Sequence, residues 1–410
     1  MRFSPLSLLL LVLPAAAIAG DIQLNTSVTD AKVTSTPASA PTSFADADSL
    51  SQYFFPGNAW DAAYQSIEDW KKKYHLPITI GAMNWWHIDR NEHIYGDEYG
   101  VPGEQGTYRW YLLYDPEITI DPDGFLQSIG GHVQFRWRDG DKLRHFYPGN
   151  WWLEESYIYA KTKIGEFKAG EIFRQFGIPW DGTWWEGVAY FDGQRFNPNW
   201  GLSWENTWKP SSTFTIDSAV QYFFAQSGYS AAEGGALPET VPGLFEKNTG
   251  VVRLVPTWKL DKDMSLALGA SGLVGGIDGS SRYGTSPREE AWETDLTYKW
   301  KGFSAFAALS QSYGALAPVN YVSGGPSYHI GMTEFGVAYK YGPITYRANF
   351  SKGWDVDPGG GQFLVDAGIT AELAKNITFY AEYVRWDVRN AVGATSKFDD
   401  GFELILQWHF

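Results

Sequence analysis

In the single stretch from Gly177 to Pro198 the chain sets Trp180, Trp184, Trp185, Tyr190 and Phe191 among Asp181, Glu186, Asp192 and Arg195. The rings offer flat apolar faces, and the charged groups offer hydrogen bonds to hydroxyls. Sugars carry apolar CH faces rimmed by hydroxyls, so this mixture suits them. The competing reading is that the rings only wedge a loop against a wall, which a folded-in loop needs whatever passes it. A second set lies on the polar faces of alternating segments: Glu205, Asp217, Glu293, Asp295, Glu334, Asp366, Glu372 and Glu403, against Arg253, Lys259, Lys299, Lys340 and Arg347. Acids outnumber bases, which disfavours anions in a lumen; alternatively the charges balance one another across the wall. Hydrolytic chemistry needs a nucleophile near a histidine base. The histidines at 75, 87, 93, 132, 145, 329 and 409 are scattered, with no His-x-x-x-His pair and no Gly-x-Ser-x-Gly elbow. Asp355 and Asp357 could offer oxygens to calcium, but no dense ligand cluster surrounds them. No catalytic residue, metal or cofactor is expected.

The elements that must position these residues read as strands. Trp292, Leu296, Tyr298 and Trp300 oppose Glu293, Asp295, Thr297 and Lys299, and Ile344, Tyr346, Ala348 and Phe350 oppose Thr345, Arg347, Asn349 and Ser351. Tight connections at 121–124, 161–165, 209–212, 261–263, 300–302, 341–343 and 374–376 carry Gly, Pro, Asp or Asn. Long ones at 87–106, 139–150, 177–198, 228–250, 278–289, 314–326, 354–361 and 390–398 alternate with them. Short turns on one rim and long loops on the other predict a transmembrane antiparallel up-and-down β-barrel of about sixteen strands, its apolar face toward lipid. A water-soluble barrel would show the same alternation with its faces reversed. Length separates the two: these segments run roughly 11 to 14 residues, whereas soluble strands average about 5 or 6 and tilted spanning strands need about 9 to 11. Trp258, Trp300, Tyr339, Tyr341 and Trp408 near strand ends fit interfacial girdles.

Arg2, the apolar run from Leu6 to Leu13 and Ala15-Ala16-Ala17-Ile18-Ala19 predict a signal peptide over 1–19, cleaved after Ala19 on Sec-type export. Residues 20–50 are rich in Thr, Ser, Ala, Pro and Asp and predict a flexible periplasmic linker. Trp60, Tyr64, Ile67, Trp70 and Tyr74 recur at helical spacing within 51–76, with Asn58 as cap and Asp61 in the first turn. This amphipathic helix is expected to pack on the barrel or a neighbouring chain. The barrel then occupies 77–410. With no cysteine in an exported chain, nothing is stapled. Composition agrees with a large sheet: aromatic residues make up 17% and glycines number 44. The net charge of −15 argues against nucleic acid as a partner and for neutral or cationic solutes.

Glu155-Ser156-Tyr157, then Gly165-Glu166-Phe167-Lys168-Ala169-Gly170-Glu171 and Phe176-Gly177, resembles the strand pattern of Gram-negative outer-membrane porins of the sixteen-stranded general and carbohydrate-selective kind. In those proteins the third outer loop folds into the barrel, and 177–198 is here the third outer loop. The helix running into a first strand near Ile78 is similar to the layout of carbohydrate-selective porins. The likeness spans almost the whole mature chain, although no single motif is specific. It implies a passive diffusion channel in a Gram-negative outer membrane, passing small hydrophilic solutes such as sugars or cations. It also implies a homotrimer in contact with membrane lipid and lipopolysaccharide, and a terminal signal at Trp408 and Phe410 for the barrel-assembly machinery. Polysaccharide export is the alternative: Phe191-Asp192-Gly193-Gln194-Arg195 resembles a stretch of the alginate exporters, whose anionic cargo the acidic lumen opposes. A structural or adhesive barrel is a further one, opposed by the small residues in the loops at 228–250 and 314–326.

Overall fold

A computed structural model describes residues 49–55, 59–92, 105–138, 151–178, 198–226, 245–278, 288–313, 329–355, 361–389 and 396–410. Two helices, α1 (Ser51–Phe54) and α2 (Ala59–Lys73), precede the sheet. The first strands are β1 (Ile78–Glu92), β2 (Gln105–Tyr114), β3 (Glu117–Thr119), β4 (Leu126–Arg138), β5 (Trp151–Thr162) and β6 (Gly165–Phe173). The middle of the sheet is β7 (Pro198–Ser211), β8 (Phe214–Gln226), β9 (Phe245–Asp261), β10 (Met264–Asp278), β11 (Arg288–Trp300) and β12 (Phe303–Tyr313). It ends with β13 (His329–Tyr341), β14 (Ile344–Asp355), β15 (Gly361–Ala374), β16 (Ile377–Arg389) and β17 (Ser396–His409).

Neighbours in sequence pair antiparallel all the way round, and β1 pairs with both β2 and β17, so the sheet closes. Both β2 and β3 pair with β4; they are halves of one spanning strand broken at Asp115-Pro116, where proline has no N–H to give the ladder. The barrel therefore has sixteen spanning strands, the number expected from the turns. At three tight turns the backbone enters the left-handed region, at Lys301 (φ 52°), Gly342 (φ 57°) and Asn376 (φ 59°), as two-residue hairpins require. No described helix is long and apolar enough to cross a membrane; the strands do so.

Each strand divides its residues as the alternation demands. Along β11, Trp292, Leu296 and Trp300 are exposed on the outer face, while Glu289, Ala291, Glu293 and Asp295 are buried toward the lumen. Trp258, Tyr339 and Tyr341 are likewise exposed near the tight turns, as an interfacial girdle would be.

Two details depart from the sequence reading. On β17, Phe402 is exposed as expected, but Trp408 is only 7% exposed, because Trp110 of β2 meets its ring edge-on at 5.2 Å and Phe410 covers it at 5.2 Å. The expected single helix over 51–76 is two, and Asn58 lies outside the described residues. Of its expected packing face Trp60 and Tyr64 are buried, whereas Trp70 and Tyr74 are about half exposed.

Candidate functional site: the lumen at the base of the third outer loop

Strand β6 stops at Phe173, three residues before the Phe176 end that its pattern suggested, and the chain turns into the barrel. The N–H of Gln175 donates to the Gln221 side chain of β8 (2.6 Å), that of Gly177 to Ser271 Oγ of β10 (3.0 Å), and that of Ile178 to Glu293 Oε1 of β11 (2.9 Å). The amide of Gln221 donates back to the Phe173 carbonyl at 3.0 Å. Successive amides thus step across the inner wall from β8 to β11. Gly177 permits the course, since its φ is +67° and a Cβ there would stand 2.5 Å from the Glu293 carboxylate.

Apolar packing fixes the same segment. Phe176 is 1% exposed and clusters with Ile172, Phe223, Val251, Leu273 and Ala291, one residue from each of β6, β8, β9, β10 and β11. These are lumen-facing positions, so the patch is apolar only where the loop base covers it. An ion pair flanks it: Arg174 binds Glu246 of β9, which also accepts from Asn199 Nδ2 of β7 at 3.2 Å. Glu289 is completely buried on the same wall. Deeper, Arg253 Nη1 donates to Asp295 Oδ2 and to Ser271 Oγ, both at 2.8 Å.

Glu293, Asp295 and Arg253 form the loop-base framework just described. Glu334 and Asp366 are buried further round, among Ser310, Asn349, Ser351 and Gln362. Glu382 and Glu403 are direct cross-strand partners, 2% and 0% exposed. Arg347 Nε donates to Thr370 at 3.2 Å, and Glu372 accepts from Thr378 at 3.3 Å. Glu205 pairs with Lys168 at 2.8 Å, and Asp217, near a tight turn, accepts from Thr207 at 2.6 Å. The nine loop residues Trp180, Asp181, Trp184, Trp185, Glu186, Tyr190, Phe191, Asp192 and Arg195 lie outside the described residues, as do the side chain of Asp355 and the whole of Asp357.

Sequence reasoning missed a cluster on β3 to β7. His132 stacks on Tyr157 with centroids 4.9 Å apart, Lys168 Nζ lies 5.3 Å over the same ring, and Lys161 sits over Tyr159 while pairing with Glu117. His132 Nδ1 meets Asp115 Oδ1 at 2.5 Å, while its Nε2 stands 3.6 Å from Glu155 Oε2, within ion-pair range but too far for a hydrogen bond. The only available signal was Glu155-Ser156-Tyr157 on one strand, because the partners come from others. Among the described residues no group of three acidic or histidine side chains is arranged to hold a metal.

The closed barrel is similar to solved outer-membrane proteins. Salmonella typhi OmpF in complex with daunomycin matches at a TM-score of 0.58 and 13% identity, over 82% of this chain and 97% of that one. The chain has the sixteen-stranded porin fold. Pseudomonas putida OprB matches at 0.57 and 10% identity, over 85% and 97% of the two chains. The trimer form of OmpT, an outer-membrane protein of Vibrio cholerae, matches at 0.53 and 12%, over 81% and 98%. No family model and no curated protein matches the sequence, so the porin likeness is one of fold.

Proposed function

We propose that this porin-fold barrel is a passive diffusion channel of a Gram-negative outer membrane, selecting neutral and cationic small solutes, with sugars as its main class. One observation carries this reading: among the described residues, the lumen-facing strands from β9 to β17 bury Glu246, Glu289, Glu293, Asp295, Glu334, Asp366, Glu382 and Glu403 against one arginine of their own, Arg253, and Arg174 of the loop base, which pairs with Glu246. A ring of carboxylates, amides and hydroxyls attracts cations, hydrogen-bonds to polyols and repels anions. Selection arises from pore width and lumen charge, with no bond made or broken. The turn of the chain into the barrel after Phe173, with Gly177 and Ile178 bonded to this wall, supports the proposal that the rings and carboxylates of the third loop contact passing solutes. Assembly as a trimer follows the porin layout, and the trimer form of Vibrio OmpT is a neighbour in fold. Export with cleavage after Ala19 and recognition of Trp408 and Phe410 by assembly machinery complete the proposal.

Planar-bilayer recording tests it. Discrete conductance steps, cation-selective in a salt gradient and reduced by oligosaccharide titration, are the expected result. Anion selectivity removes the charge argument, and indifference to every oligosaccharide removes the sugar claim.

A further inference from the structure

Helix α2 is strapped to the rim that bears the tight turns. Trp60 Nε1 donates to the carbonyl of Lys375 in the β15–β16 turn at 2.8 Å, its ring packs on Phe410 at 5.3 Å, and Lys375 Nζ lies 4.4 Å over Tyr64. The N–H of Leu50 adds a bond to the carbonyl of Glu372 at 2.7 Å. The helix then leads directly into β1, so it runs along the rim beneath the seam where β1 meets β17.

The contacts also fix its rotation. Trp60 and Tyr64 are buried against the rim, and Glu68 and Lys71, paired at 2.7 Å, are only 25% and 16% exposed on the flank beside them. At 3.6 residues per turn, Glu68 and Trp70 lie about 80° from Trp60 on opposite sides of the axis. Glu68 is thus on the covered flank, and Trp70 is on the open one. Tyr74, one turn on, packs against it with the ring planes tilted and centroids 5.6 Å apart, and Lys73 Nζ lies 5.2 Å over the Tyr74 ring. Trp70 is 48% and Tyr74 54% exposed. On the first hairpin at the same rim, Ile80, Leu112 and Tyr114 are each more than 40% exposed on the outer face.

We infer that the Ala63–Trp70–Tyr74 flank of α2 is a lipid-binding surface that seats the helix in the phospholipid headgroup layer at the tight-turn rim. Trp and Tyr favour that layer because each joins an apolar ring to a polar tip. Lys73, whose ammonium lies over the Tyr74 ring, reaches phosphates while its stem stays in the apolar boundary, whereas Lys71 is paired with Glu68 at 2.7 Å. The occupant is thus a glycerophospholipid surface, continuous with the lipid around the barrel.

The chain has no cysteine, so single-cysteine labelling is clean. Full-length Trp70→Cys, Tyr74→Cys, Gln65→Cys and Asp69→Cys, each carrying an environment-sensitive fluorophore, are reconstituted in phosphatidylethanolamine and phosphatidylglycerol vesicles. Labels at 70 and 74 should be quenched several-fold more by shallow spin-labelled lipid than labels at 65 and 69, and iodide should show the reverse order. Ala63→Cys, on the same flank, keeps both rings and should follow 70 and 74. Equal iodide quenching at all five positions, or lipid quenching at 65 and 69, would overturn the inference.

Discussion

At the scale of single residues the account rests on Glu293, which accepts the N–H of Ile178 and also adds charge to the lumen wall. Its two roles separate on substitution. Glu293→Gln retains an acceptor oxygen, so single-channel records should stay quiet while cation selectivity falls; Glu293→Ala should lose both and flicker. Phe176→Ala empties a pocket walled by five strands, a change that costs about 3–5 kcal/mol in a packed core. It should raise open-channel noise while the barrel remains folded by circular dichroism. Trp184 and Trp185 carry the proposal for the loop itself: replacing both with Ala should increase conductance, and an unchanged conductance would place that part of the loop away from the pore. Little of this framework was legible in the sequence. Arg174 and Glu246 are distant in the chain, and the stack of His132 on Tyr157 joins neighbouring strands whose register only the closed barrel defines. Lumen charge was legible, because Glu293, Asp295 and Asp366 alternate with outward apolar residues and period two leaves them one side to face.

At the scale of elements, the tight turns announced themselves through Gly, Asn, Asp and Pro, since hairpin turns demand backbone angles that few residues adopt. The end of β6 did not. Apolar Phe176 continues the strand pattern, but its partners are lumen-facing Phe223 and Leu273, and only a folded wall reveals an apolar patch on an otherwise polar face. The helix shows the same limit: its spacing was plain, yet one aromatic stripe is split between the docked Trp60 and Tyr64 and the exposed Trp70 and Tyr74. Which ring docks depends on the carbonyl of Lys375 and on Phe410, more than 300 residues away. Trp60→Ala removes that hydrogen bond and the ring contacts with Phe410 and with Phe55, whose centroid lies 5.6 Å away. It should lower the thermal unfolding midpoint of the reconstituted protein by several degrees and leave conductance unchanged, because the helix straps the rim and contributes none of the described loop-base contacts.

At the scale of the whole molecule, a closed sheet leaves no unpaired edge in lipid and turns sixteen amphipathic strands into a wall with two chemistries. The outer face is apolar and aromatic, and the inner face is acidic from β9 round to β17. The net charge of −15 has the same sign as that inner face, and the proposed cation preference rests on both. The reversal potential of the reconstituted channel across a potassium chloride gradient tests this most directly. The account predicts discrete channels whose potential moves toward the potassium equilibrium value, less so in Glu293→Gln. A potential displaced toward the chloride value, or a membrane that shows no conductance steps, would contradict it.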